Sequence, residues 1–198
     1  MKLKVCGLRD PQNIQQTALL NPDYMGFIFY KGSKRFVGDD FIMPVLPSNI
    51  KKVGVFVNSK ADYIIDQIDK HKLDTIQLHG NESPGFCEVM SHFTEVIKAF
   101  GVDEMFQLKE LEAYKDMCHL FLFDTKTDEY GGSSKQFDRR ILKEYALNVP
   151  FFISGGIGLD EMEVLKNEYG NNYNVDVNSK FEIAPGMKDI EKLRQIKR

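Results

Sequence analysis

The sequence predicts one α/β domain spanning residues 1–198, folded as a compact (β/α)8 TIM barrel with few insertions. Three observations predict it. Apolar, β-rich runs recur along the chain, helical patterns lie between most of them, and no linker or composition shift divides the 198 residues. The runs are "LKV" (3–5), "YMGFIF" (24–29), "KVGVFV" (52–57), "TIQL" (75–78), "EVIKAF" (95–100), "LFLF" (120–123), "PFFIS" (150–154) and "YNVDV" (173–177). They start roughly 20 to 30 residues apart, as strands joined by crossover helices do, and so imply a parallel sheet. Eight units close a barrel, whereas five or six would leave an open doubly wound sheet. At about 25 residues per unit the chain falls below the ~250 residues typical of the fold.

The helices follow in order. Asp10-Pro11 places a capping carboxylate before a proline at the first helical position, starting a helix through Leu20. The second unit is the weakest, because "VGDDFIMPVLPSNI" (37–50) holds two prolines and supports only a short helix. Ser59 is placed to cap the next helix, in which Ala61, Ile64, Ile65 and Ile68 recur at helical spacing. Met162 and Leu165 share one side of the stretch 160–166, and a last helix runs through Ile190, Leu193 and Ile196.

Composition excludes several classes of function. A net charge of -3 with no dominant basic face gives no reason to expect nucleic acid. The segment "MKLKVCGLRD" lacks the apolar stretch of a signal peptide, and nothing later reaches membrane-spanning length. Cys6, Cys87 and Cys118 are odd in number and widely spaced, matching neither a disulfide framework nor a zinc pattern. A reduced, cytoplasmic setting is the natural reading, with Cys87 and Cys118 as filler. Fifteen phenylalanines and no tryptophan point to a phenylalanine-rich core.

In a barrel of this kind chemistry sits at the C-terminal ends of the strands. Residues just past each run therefore form one ring: Cys6 and Gly7, the loop 30–35, Asn58, His79, Asp124, Ser154 to Gly156, and Asn178-Ser179. A cysteine ending a strand is by itself a small hydrophobe. Asp124, at the end of a buried run, is either a structural partner for a nearby amide or a carboxyl whose desolvation suits it to hold a proton near neutrality. Gly155 and Gly156 read as turn glycines or, with the loop after strand eight, as a phosphate cradle. Arg35 suits a carboxylate or phosphate, or is a solvated charge beside Lys34. His79 is a proton shuttle or a structural hydrogen-bonding group. The glycine pair 131–132 with Ser133-Ser134 reads as a mobile loop able to fold over a ligand.

Taken together, "KVCG" (4–7), "GFIFYKGSKRF" (26–36), "VGVFVN" (53–58), "IQLHG" (76–80), "FDTKTDEYGGSSKQFD" (123–138), "SGGI" (154–157) and "DVNSKFE" (176–182) closely resemble the phosphoribosylanthranilate isomerase family of tryptophan biosynthesis. The resemblance covers nearly the whole chain and rests on the joint order and spacing of the motifs. It implies a cofactor-free, metal-free Amadori rearrangement of a phosphorylated sugar–anthranilate substrate. By resemblance Cys6 is the catalytic base, a thiol of depressed pKa, and Asp124 the catalytic acid. Arg35 faces the anthranilate carboxylate. Gly155, Gly156 and the Asn178-Ser179 loop bind phosphate, and His79 and Asp176 complete the substrate-binding set. The resemblance leaves the choice between monomer and homodimer open, along with the roles of Lys126, Lys135 and Lys180. Arg139 stands where many members have tryptophan, a change that bears on packing near the 131–136 loop and touches neither proton-transfer residue. The related indole-glycerol-phosphate synthases rely on lysine and glutamate at strand ends, and bifunctional isomerases on two aspartates. A non-catalytic sugar-phosphate-binding barrel would be expected to lack Cys6 or Asp124, and both are present.

Overall fold

Eight parallel strands, hydrogen-bonded in chain order, close into a barrel in the computed structural model, which describes residues 1–125, 138–170 and 173–196. The strands are β1 (Leu3–Val5), β2 (Tyr24–Ile28), β3 (Lys51–Phe56), β4 (Thr75–Leu78), β5 (Glu95–Val102), β6 (Leu120–Thr125), β7 (Phe151–Ile153) and β8 (Asn174–Val177). Each agrees with its sequence run to within two residues. Closure comes from pairing the first strand with the last, in the register Leu3↔Val175, Lys4↔Asp176 and Val5↔Val177.

Alternation along the strands produces two cores. Tyr24, Val53, Ile97, Ala99, Leu120, Leu122 and Phe152 fill the barrel interior. The residues between them face outward and join a larger cluster that includes Phe27, Phe56, Phe121 and Phe123, all fully buried. The phenylalanine-rich core is therefore the layer between sheet and helices.

Helix α1 (Pro11–Ala18) begins as its sequence dictates, with Asp10 Oδ1 accepting from Asn13 N at 2.8 Å. Helix α2 (Ala61–His71) buries Ile64, but the expected cap is absent: Lys60 occupies the cap position, and the Ser59 hydroxyl faces Val57 O at 3.5 Å instead. Helices α3 (Pro84–Ser91) and α4 (Leu159–Tyr169) connect β4 to β5 and β7 to β8. The short helix expected between β2 and β3 does not form. Pro44 and Pro47 remove amide donors, and buried Phe41 covers the barrel in its place, packing on Phe27 at 5.7 Å. Short 3-10 turns, Leu108–Tyr114 and Arg139–Glu144, replace helices after β5 and β6. The final helix α5 is a single turn, Ile190–Leu193, so Ile196 lies beyond it. A hairpin of β9 (Glu182–Ala184) and β10 (Met187–Lys188), unforeseen in the sequence, projects after β8.

Cys87 and Cys118 are both buried free cysteines. They pack in the core near a buried ion pair, Lys98 with Glu82 at 3.2 Å. Lys98 also donates to Leu78 O, Gly80 O and Ala99 O, while Glu82 accepts from the amides of Asn58 and Gly80. This network holds the loop after β4 at the mouth.

Candidate active site

Gly7 explains why glycine directly follows Cys6. Its φ of +77° is left-handed, and a Cβ there would lie 2.6 Å from both Arg35 Cδ and Asn178 Oδ1. Two side chains of the mouth cross the backbone at that point. Cys6 itself continues β1 onto β8 through its amide, 2.9 Å from Val177 O. Its Sγ packs on the bare backbone of Gly26, where an added Cβ would approach to 2.7 Å.

Cys6, Gln77, His79, Asp124, Ser154, Gly155, Asp176, Asn178, Ser179 and Lys180 line one solvent-open cavity at the C-terminal ends of the strands. Asp124 ends β6, three strands away from Cys6 across the β7–β8 wall. Asp124 Oδ1 accepts from Thr125 N at 2.8 Å, and Oδ2 lies 3.4 Å from His79 Nε2. Gln77 Nε2 donates to His79 Nδ1 at 2.7 Å, which leaves Nε2 as the protonated nitrogen facing the carboxylate. The Gln77 side-chain carbonyl oxygen is buried at the cavity without a hydrogen-bond partner among the described residues.

Beside Asp124, Gly155 and Gly156 have φ of +86° and +66° in the turn between β7 and α4. A Cβ on Gly155 would lie 2.9 Å from Asp124 Oδ1 and 2.8 Å from Thr125 N. Gly155→Ala is therefore expected to lower stability by about 1–3 kcal/mol through strain and crowding. A urea unfolding midpoint checks this, and an unchanged midpoint would mean that the turn relaxes freely. Arg139, the departure from the family pattern, braces this turn by donating to Gly155 O at 3.2 Å. Asn178, Ser179 and Lys180 complete the wall where β8 passes into a short 3-10 turn.

Arg35 is held differently from expectation. Its guanidinium forks onto Glu182, with Nε at 2.9 Å from both carboxylate oxygens and the closer terminal nitrogen at 2.6 Å. Lys188, fully buried, reaches the same carboxylate at 2.7 Å and Asn178 Oδ1 at 2.8 Å. Burial alone would raise the Glu182 pKa, but Arg35 and Lys188 outweigh it and hold the carboxyl below its ordinary value. The cavity wall thus includes Asn178 directly, with Arg35 standing behind it.

Cys6 also departs from expectation. Burial pushes the thiol pKa up, the nearby Asp176 charge adds to the rise, and Lys4 and Lys188 pull it down without prevailing. Burial and the Asp176 charge thus favour the neutral thiol, the reverse of the shift expected from the sequence. Asp176 is buried too, and burial lifts its carboxyl pKa against the pull of Lys4. Residues 126–137, including Lys126, Lys135 and the glycine pair 131–132, lie outside the described residues.

A closed parallel barrel whose mouth gathers a carboxyl, a thiol and a left-handed glycine turn is that of a (β/α)8-barrel enzyme. The family model "N-(5'phosphoribosyl)anthranilate (PRA) isomerase" matches residues 3–198. The chain belongs to the N-(5'-phosphoribosyl)anthranilate isomerase family. An isomerase of that name from Parabacteroides distasonis is 42% identical over 200 residues, covering 98% of this chain and 90% of the relative. The crystal structure of phosphoribosyl anthranilate isomerase from Thermotoga maritima superposes with a TM-score of 0.85 at 30% identity, covering 98% and 95% of the two chains. Another solved structure of a phosphoribosyl anthranilate isomerase, in complex with reduced 1-(o-carboxyphenylamino)-1-deoxyribulose 5-phosphate, matches with a TM-score of 0.81 at 26% identity and the same coverage.

Proposed function

We propose that this chain catalyses the Amadori rearrangement of N-(5-phosphoribosyl)anthranilate to 1-(2-carboxyphenylamino)-1-deoxyribulose 5-phosphate, a step of L-tryptophan biosynthesis. The observation that carries the reading is the placement of Cys6 and Asp124 on separate walls of one cavity, with the Gly155 turn at its edge. An acid and a base acting on one sugar need that separation. Asp124, as the acid, protonates the furanose ring oxygen and opens the ring to a Schiff base. Cys6, as thiolate, removes the C2 proton of the ribose, and the enolamine formed tautomerises to the product ketone.

The anchors follow from the walls. The Gly155–Gly156 turn, Ser179 and the Lys180 cation offer a phosphate site, and amides in left-handed turns suit an anion. Arg35, already oriented by Glu182, is the cation beside the mouth for the anthranilate carboxylate. His79 Nε2–H holds the Asp124 carboxyl in place, and the free Gln77 carbonyl is an acceptor for a ribose hydroxyl. Anchoring both ends of the substrate orients the ribose between the two groups. The three free cysteines fit a reducing cytoplasm.

The test is turnover of freshly generated phosphoribosylanthranilate, followed by loss of substrate fluorescence. Consumption with formation of the ketone product supports the reading. Binding of substrate without turnover would instead make the chain a sugar-phosphate-binding barrel.

A further inference from the structure

The β9–β10 hairpin carries a carboxylate and a lysine that the acid–base chemistry does not use. Glu182 and Lys188 are cross-strand partners in the hairpin, and their side chains meet at 2.7 Å. Asn13 of α1 pins this end of the hairpin, exchanging two hydrogen bonds with the Lys188 backbone at 2.7 and 2.9 Å. Glu182 Oε1 also accepts from Gly186 N at 3.1 Å. The carboxylate is thus fixed in place before Arg35 reaches it, and its side chain is only 4% exposed.

Arg35 gives Glu182 one edge of its guanidinium and no more. The planar group carries five N–H donors, enough to grip two carboxylates on two edges. Glu182 takes the side edge, formed by Nε and Nη2, while Nη1 has no hydrogen-bond partner among the described residues. The end edge, formed by Nη1 and the second Nη2 proton, stays open to a further carboxylate. Arg35 adjoins the cavity wall on both sides. Its amide donates to Ser33 Oγ at 3.1 Å, its stem crosses Gly7 alongside Asn178, and both Ser33 and Asn178 line the cavity.

Charge points the same way. A carboxylate paired with Arg35 alone would cancel the charge that draws an anionic substrate. Lys188 supplies a second cation to Glu182, so two cations and one anion leave a net positive charge beside the mouth.

We infer that Glu182 is a positioning residue for substrate selection, holding the side edge of Arg35 so that its end edge meets the ring carboxylate of the substrate. Lys188 fastens Glu182 and offsets its charge. The inference rests on the isomerase reading above and adds the means by which a carboxylated aryl amine is chosen over an unsubstituted one.

The test compares kcat/KM on phosphoribosylanthranilate with that on N-(5-phosphoribosyl)aniline, which lacks only the carboxylate, following both products by chromatography. The readout is the ratio of the two values in wild type, Arg35→Met, Glu182→Gln and Arg35→Met/Glu182→Gln, each checked for folding by circular dichroism. Should Glu182→Gln alone fail to fold, Glu182→Gln/Lys188→Met replaces it, since that pair leaves no buried charge without a partner. Glu182→Gln is expected to lower the ratio about 10–100-fold, the size of a charge-assisted hydrogen bond, chiefly through KM on the carboxylated substrate. Arg35→Met should lower it as much or more, and adding Glu182→Gln to Arg35→Met should lower it no further. A folded Glu182 variant that slows both substrates equally, leaving the ratio unchanged, makes the carboxylate a structural brace and overturns the inference. An unchanged ratio in Arg35→Met overturns it at the arginine, while wild-type turnover keeps the isomerase reading standing. A wild type that turns over neither substrate overturns that reading itself.

Discussion

Cys6→Ser is expected to lower kcat on phosphoribosylanthranilate ~10²–10⁴-fold, with KM changed little. Serine keeps the small side chain that Gly26 admits. It cannot serve as the base, because a hydroxyl holds its proton far more tightly than a thiol. The loss amounts to about 3–5 kcal/mol of transition-state stabilisation. Steady-state kinetics with the purified variant check it. A variant nearly as fast as wild type would move the base elsewhere, with His79 the next group in the cavity.

Asp124→Asn is expected to produce a fall of the same order, ~10²–10⁴-fold in kcat, for the opposite reason. The amide oxygen can still accept from Thr125 N, so the strand end keeps its geometry. What disappears is the proton for the ring oxygen, and the ring-opening step stalls. Pre-steady-state measurement separates the two variants: a Schiff base should form and accumulate with Cys6→Ser but not with Asp124→Asn. Equal accumulation in both would contradict the assigned order of acid before base.

Much of this architecture is written locally in the chain. Each of the eight strands is an apolar run closed by a turn, so its position is legible from a few residues. The mouth ring followed once those runs were counted, and it placed Cys6, His79, Asp124, Gly155, Asn178 and Ser179 around the cavity where they are found. The parts that escaped reading depend on contacts between distant segments. Lys4 stands in "LKV" like the solvent-facing member of an alternating strand, yet a closed barrel buries both faces, and its partner lies 172 residues away. Glu182 and Arg35 are 147 residues apart, and no local pattern announces that their pairing redirects the guanidinium. The elevated Cys6 thiol has the same origin, since burial is a property of the assembled barrel. Ser59 failed as a cap because α2 starts one residue later, a boundary that propensity does not resolve.

The seam between β1 and β8 has a consequence for how the protein is made. Lys4 and Cys6 leave the ribosome well before Asp176 and Val177, which lie on the last strand of the barrel. Domains fold as units once their chain has emerged. No nascent chain short of the eighth strand holds the cysteine in its finished surroundings, so the reactive thiol is seated by the same event that shuts the barrel. Gain of activity during refolding should therefore report the joining of the two ends, a step later than the appearance of most of the sheet.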